Sequence, residues 1–155
     1  MKSGSMDVNQ VISMLEEWFS KLPALPANLK ATLVKIAPWL ALVFGILGVV
    51  GSLGGVLALL GLGAFGVSMM PYGGLSVVNA SAFGIVVLLL GLAASVLMLM
   101  AYPGLKDQKM SGWKMAFWSE VVSLLGSLVA FNFVGLLVGA LIGFYILFQI
   151  KSSYK

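Results

Sequence analysis

Between Lys35 and Lys106 the chain carries no charged side chain. Apart from Glu120, the remaining charges gather in three polar segments at residues 2–35, 106–114 and 151–155. An uncharged tract of that length leaves a water-soluble surface out of reach. With 61% hydrophobic and only 9% charged residues, against about 25% charged in soluble domains, lipid has to be the solvent. A helix crosses a hydrocarbon layer of about 30 Å with about 20 apolar residues. Turn signals cut the apolar sequence into four such stretches, at about 39–62, 83–101, 114–131 and 133–150. The expected fold is therefore an all-α integral membrane protein with four transmembrane helices in two antiparallel hairpins, preceded by an N-terminal amphipathic helix. Residues 1–37 form an arm and residues 38–155 the membrane domain.

The nine lysines test this count. Lys2, Lys21, Lys30 and Lys35 precede the first span, Lys106, Lys109 and Lys114 lie between the second and third, and Lys151 and Lys155 follow the fourth. Four spans put all nine on one side, whereas three or five would scatter them. Because lysine-rich loops stay cytoplasmic, both termini are expected to face the cytoplasm, with the protein multi-pass in the inner (plasma) membrane.

The arm reads as a helix over about 7–22. Asp7 and Gln10 stand at capping-box spacing, and Val8, Val11, Ile12, Leu15, Trp18, Phe19 and Leu22 share one face. It is too short and too polar to span, and its amphipathic, acidic character does not match a cleavable signal peptide. The leading expectation is a helix in the headgroup layer with Trp18 and Phe19 buried. Packing on the bundle and binding of a partner protein are the alternatives, the latter because Glu16 and Glu17 outweigh Lys21. Pro23 and Pro26 break the helix, and Asn28 is expected to cap the next one. Pro38 then marks either a new first turn or a kink.

Small residues recur along the spans. Gly45, Gly48 and Gly51 in the first, Gly84, Gly91 and Ser95 in the second, and Ser119, Ser123 and Ser127 in the third form strips that let helices approach closely. Gly135, Gly139 and Gly143 make two overlapping GxxxG motifs in the fourth. Tyr102-Pro103-Gly104 is expected to end the second span and Asn132, between two phenylalanines, to turn the chain from the third to the fourth. Trp18, Trp39, Trp113 and Trp118 are expected as interfacial anchors. Met69-Met70 and Asn79-Ala80-Ser81, in the loop opposite the lysines, are read as an apolar loop and a chance acceptor pattern.

From Tyr102 onward, Tyr102-Pro103-Gly104-Leu105-Lys106, Gly112-Trp113-Lys114 and the closing run from Ile142 to Lys151 resemble small uncharacterised four-span bacterial membrane proteins, including many from reduced-genome lineages. The resemblance implies a bacterial integral membrane protein and assigns no site residue.

Chemistry is sparse. With no cysteine and no histidine, neither a thiolate nucleophile, a His base nor the usual zinc ligands exist. No catalytic residue, cofactor, metal or nucleic-acid partner is expected, and the protein reads as no enzyme. The expected partners are the lipid bilayer, other membrane proteins or a second copy. Glu120 is the exception, because an acid within a span is a functional candidate by default. Six residues from Lys114, about 9 Å along a helix, it is expected at a shallow depth, reaching cytoplasmic headgroups or pairing with Lys151. The leading functional expectation is a scaffold, assembly factor or subunit that works through helix packing. The alternative is a small oligomeric transporter or channel with Glu120 as proton or cation site.

Overall fold

A computed structural model describes residues 7–59 and 82–155, with side chains from 84 in the second stretch and to 57 in the first. The Met69-Met70 and Asn79-Ala80-Ser81 readings, and the end of the first span, lie outside the described residues. The described residues are almost entirely helical. They form α1 (Val8–Ser20), α2 (Ala27–Leu59), α3 (Ala82–Lys106), α4 (Met110–Val129), α5 (Phe133–Val138), a π-helical turn (Gly139–Gly143) and α6 (Phe144–Ile150), closed by a 3-10 turn at Lys151–Ser153.

Among the described residues, three segments are long and apolar enough to cross a membrane: Ala27–Leu57, Gly84–Lys106 and Phe133–Ser153. This agrees with a multi-pass membrane protein; of the four expected spans, three meet the length and hydropathy of a crossing. The segment that falls short is α4, where Lys114, Glu120 and four serines dilute the apolar residues.

Small residues fix how the helices pair. A Cβ added at Gly45 would lie 2.6 Å from the Leu99 side chain, one at Gly48 would strike Ser95, and one at Gly91 would approach Ser52 Oγ to 3.3 Å. The partner numbers fall as the first numbers rise, so α2 and α3 are antiparallel. Gly104 against Gly112, Ser119 against Ala94, and Gly126 against Leu90 give α3 and α4 the same relation. In lipid, where apolar surface alone gives helices no reason to associate, this close backbone approach supplies the packing energy.

Both tight turns after α3 and α4 use one device. After α3, Lys109 N–H donates to Gly104 C=O at 2.8 Å and Gln108 N–H to Leu105 C=O at 3.2 Å, with Gln108 at φ 54°. After α4, Asn132 N–H donates to Ser127 C=O at 2.9 Å and Phe131 N–H to Leu128 C=O at 3.1 Å, with Phe131 at φ 55°. These are Schellman ends, which satisfy the orphan carbonyls of a finishing helix through one left-handed residue. Asn132 is also the N-cap of α5, its Oδ1 accepting from Gly135 N–H at 2.9 Å, so the expected turn stands where the sequence put it.

Two local expectations, at Asn28 and Pro103, are corrected, and the choice left open at Pro38 falls to a continuous helix. Asn28 lies inside α2, whose Lys30 N–H bonds the Pro26 carbonyl at 3.0 Å. Pro38 sits within that continuous helix and Pro103 within α3, which runs on to Lys106. A proline removes one donor, and a long helix keeps enough neighbouring bonds to carry it through.

The core gathers at the lysine-rich end of the bundle. Trp113, Phe117 and Ile150 are fully buried there. Phe19 of α1 stacks on Phe148 and meets Phe144 edge-on, which places α1 against the bundle and corrects the expectation that Phe19 inserts among headgroups. Trp18, by contrast, is 73% exposed. Further ties hold the arm: Lys151 pairs with Glu16, Tyr145 donates to the Pro23 carbonyl at 2.7 Å, and Leu25 N–H donates to Gln149 Oε1 at 3.1 Å. The last residues fold back, with Met110 N–H donating to the Lys155 carbonyl and Lys155 N–H to Gln108. Tyr154 is thereby buried, its hydroxyl without a hydrogen-bond partner among the described residues, and burial pushes the phenol above its usual range.

Candidate functional site

Glu120 is the eleventh of the twenty residues of α4. The helix starts at Met110, and the residues beside Glu120 stand near the middle of two apolar segments. Ser119 Oγ donates to the Ala94 carbonyl at 2.7 Å, next to Ser95 at the centre of the Gly84–Lys106 segment. The Glu120 carboxyl itself lies on Gly143, the central residue of Phe133–Ser153. A Cβ at Gly143 would sit 2.5 Å from Glu120 Oε1, and one at Gly139 would come within 3.3 Å of the same oxygen.

The π-helical turn spans these two glycines. Such turns are rare and cluster at functional sites. Here the two bare backbone positions leave a notch that receives the carboxyl. The GxxxG glycines thus serve an internal contact, while Gly135 packs on the Asn132 side chain that caps its own helix.

No hydrogen bond or ion pair engages Glu120 among the described residues. The expected partner Lys151 is taken by Glu16 and lies over the Trp113 ring, 5.6 Å from its centroid. Lys114 is exposed on the same helix, about 1.7 turns away. Instead the carboxyl borders a cavity of about 220 Å³ whose other walls are apolar. Ala37, Ala41 and Phe44 of α2, Met98 of α3, Ala116 of α4 and Leu147 of α6 contribute, so the cavity lies where the membrane helices converge.

Two further cavities continue toward the Asn132 end. Phe44 and Met98 also line a space of about 90 Å³ with Ser95, Ser119 and Ser123. Ser123 in turn borders one of about 220 Å³ with Gly91, Ser127 and Asn132. Ser119 is buried against α3, whereas Ser127 is half-buried and Ser123 exposed, so the hydroxyls of the α4 strip border grooves that open outward from the α3 contact.

Among the expected anchors, Trp39 and Trp118 are exposed, Trp39 meeting the edge of Tyr102. Trp113 is not an anchor. It is 0% exposed, stacked on Phe117, and its indole N–H donates to the Leu147 carbonyl at 2.7 Å. That carbonyl is free because the Lys151 N–H turns to Phe148 at the end of α6. The cavity walls Ala37 and Ala41 went unremarked in the sequence, although their four-residue spacing puts two small side chains on one face of α2.

No protein-family model, curated protein or solved structure matches this chain.

Proposed function

We propose that this is a non-enzymatic four-span protein of the bacterial plasma membrane, with both termini cytoplasmic, that binds a proton or monovalent cation at Glu120 and works as a small transporter or channel. The observation that carries the reading is a carboxyl, unpaired among the described residues, that lies against the middle of an apolar segment and beside a cavity. A carboxylate at a helix centre costs about 2.5–3.5 kcal/mol on insertion scales, and a purely structural acid would recover that cost through a lysine or serine partner. The serine-lined cavities supply hydroxyls between Glu120 and the Asn132 end. Counting α4 as a crossing is supported by its antiparallel contacts with α3 from Gly112 to Gly126. The lysine-bearing segments converge at one end of the bundle through the Lys151, Lys155 and Gln108 contacts, which supports a single cytoplasmic face.

Reconstituted into proteoliposomes, the protein is expected to carry a proton flux down an imposed gradient. Glu120→Gln should lower that flux by about tenfold or more, a loss of about 1.4 kcal/mol in transition-state binding. Equal flux through the two proteins removes Glu120 from the mechanism.

A second reading is a subunit or scaffold of a membrane complex. It rests on the face that α5 and the π-helical turn leave exposed, Phe133, Val134, Leu137, Val138, Leu141 and Ile142. It rests also on Met14 and Trp18 of α1, which point away from the bundle. A photo-crosslinking residue at Val134 or Leu137, introduced in cells, should then trap one discrete membrane protein. Labelling of lipid alone counts against this reading.

A further inference from the structure

The Glu120 cavity has a composition that selects among cations. Hard metal ions such as magnesium or calcium take six or more oxygen ligands, and no group of three or more acidic, His or Cys side chains occurs among the described residues. A bare inorganic ion would meet one carboxyl and a ring of alanine, leucine, phenylalanine and methionine carbons, which replace none of its hydration shell. An anionic or neutral lipid fragment would leave the carboxyl unanswered. Charge and surface are both matched by one class of molecule, a single positive charge on an apolar body.

Size and access narrow this further. An apolar cavity of about 150 Å³ in another protein holds one benzene ring, so about 220 Å³ accommodates a ring with a short substituted chain. Leu40 and Phe44 border the cavity and are 43% and 52% exposed on the outer side of α2, so the cavity meets the bilayer there. A molecule already dissolved in lipid can enter without crossing water.

We propose that the Glu120 cavity is a binding site for a small lipophilic ammonium ion, its charged nitrogen on the carboxyl against Gly143 and its apolar body among Ala37, Ala41, Phe44 and Met98. The proposal rests on the reading of Glu120 as a cation site and names the chemistry of the cation.

Equilibrium dialysis of radiolabelled benzyltrimethylammonium against the full-length protein in nonionic detergent tests it without relying on flux. Saturable binding is expected, competed by the unlabelled cation and far less by sodium. Glu120→Gln should weaken it by about tenfold or more, while the affinity for the uncharged carbon analogue of the same shape stays unchanged. Ala37→Leu keeps the carboxyl and fills the space, and should weaken both molecules. Circular dichroism of each variant confirms that the helices remain. The absence of a saturable component, equal binding by Glu120→Gln, or equal competition by sodium overturns the proposal. Glu120-dependent proton flux without benzyltrimethylammonium binding also overturns it and leaves the transport reading standing. Binding without flux supports the site and removes transport.

Discussion

Gly112→Leu is expected to lower the stability of the protein in detergent by about 3 kcal/mol, near the upper end of what overpacking costs. The effect is large because backbone meets backbone at this point. A Cβ built at Gly104 would lie 2.6 Å from both the N and the Cα of Gly112, and one built at Gly112 would meet the Gly104 and Leu105 main chain more closely still. No flexible side chain exists there to move aside, and the crossing sits next to the Schellman end at Gln108, so displacement of α4 also pulls on the turn. Gly126→Ala is the matching control. Its added Cβ would lie 3.7 Å from the Leu90 Cβ, an ordinary contact, and the change adds helix propensity worth about 1 kcal/mol. Reversible unfolding in dodecyl sulfate, followed by tryptophan fluorescence, should separate the two in opposite directions. A Gly112→Leu protein as stable as the parent would show that the crossing is looser than described.

The contrast between these glycines shows what the sequence could and could not disclose. The absence of charge between Lys35 and Lys106 is a composition signal that acts on every residue at once, and helical spans and their turns follow from it. Asn132 was legible because a polar residue between two apolar runs has one cheap place to sit, at the turn and as a cap. Pro103 misled because a proline reads as a stop, yet the long helix before it absorbs one missing donor and the chain keeps one more turn, to Lys106, before the Schellman end. The partner of Glu120 also misled: Lys151 looked within reach at the open end of the hairpin, whereas α1 folds over that end and its Glu16 takes the lysine. The cavity was illegible for a different reason: its walls come from four helices that are distant in sequence, and no periodicity within one helix reports where four of them fail to touch.

The same limit hid the role of Trp113. Next to a lysine at the start of a span, a tryptophan reads as an interfacial anchor, and only the fold shows that α1 and the C-terminal residues cover that end. Its ring packs between Phe117 and Phe148 and beneath Lys151, while its N–H satisfies the Leu147 carbonyl that the end of α6 leaves open. Trp113→Ala should therefore cost about 3–5 kcal/mol, the range for deleting a buried large aromatic side chain. Trp113→Phe keeps most of the apolar volume and removes the donor. It should cost about 1–3 kcal/mol, the penalty of leaving a buried carbonyl unsatisfied. The two values are unequal because packing and hydrogen bonding are separate losses, and their difference measures the packing share. Trp18→Ala supplies the baseline: exposed and remote from the bundle contacts, it should change stability by under about 0.5 kcal/mol in detergent. Far-UV circular dichroism through a dodecyl sulfate titration reads all three without depending on the tryptophan removed. If Trp113→Phe matched the parent, the Leu147 carbonyl would have another donor, and if Trp18→Ala matched Trp113→Ala, the aromatic end of the bundle would not be the keystone of its packing.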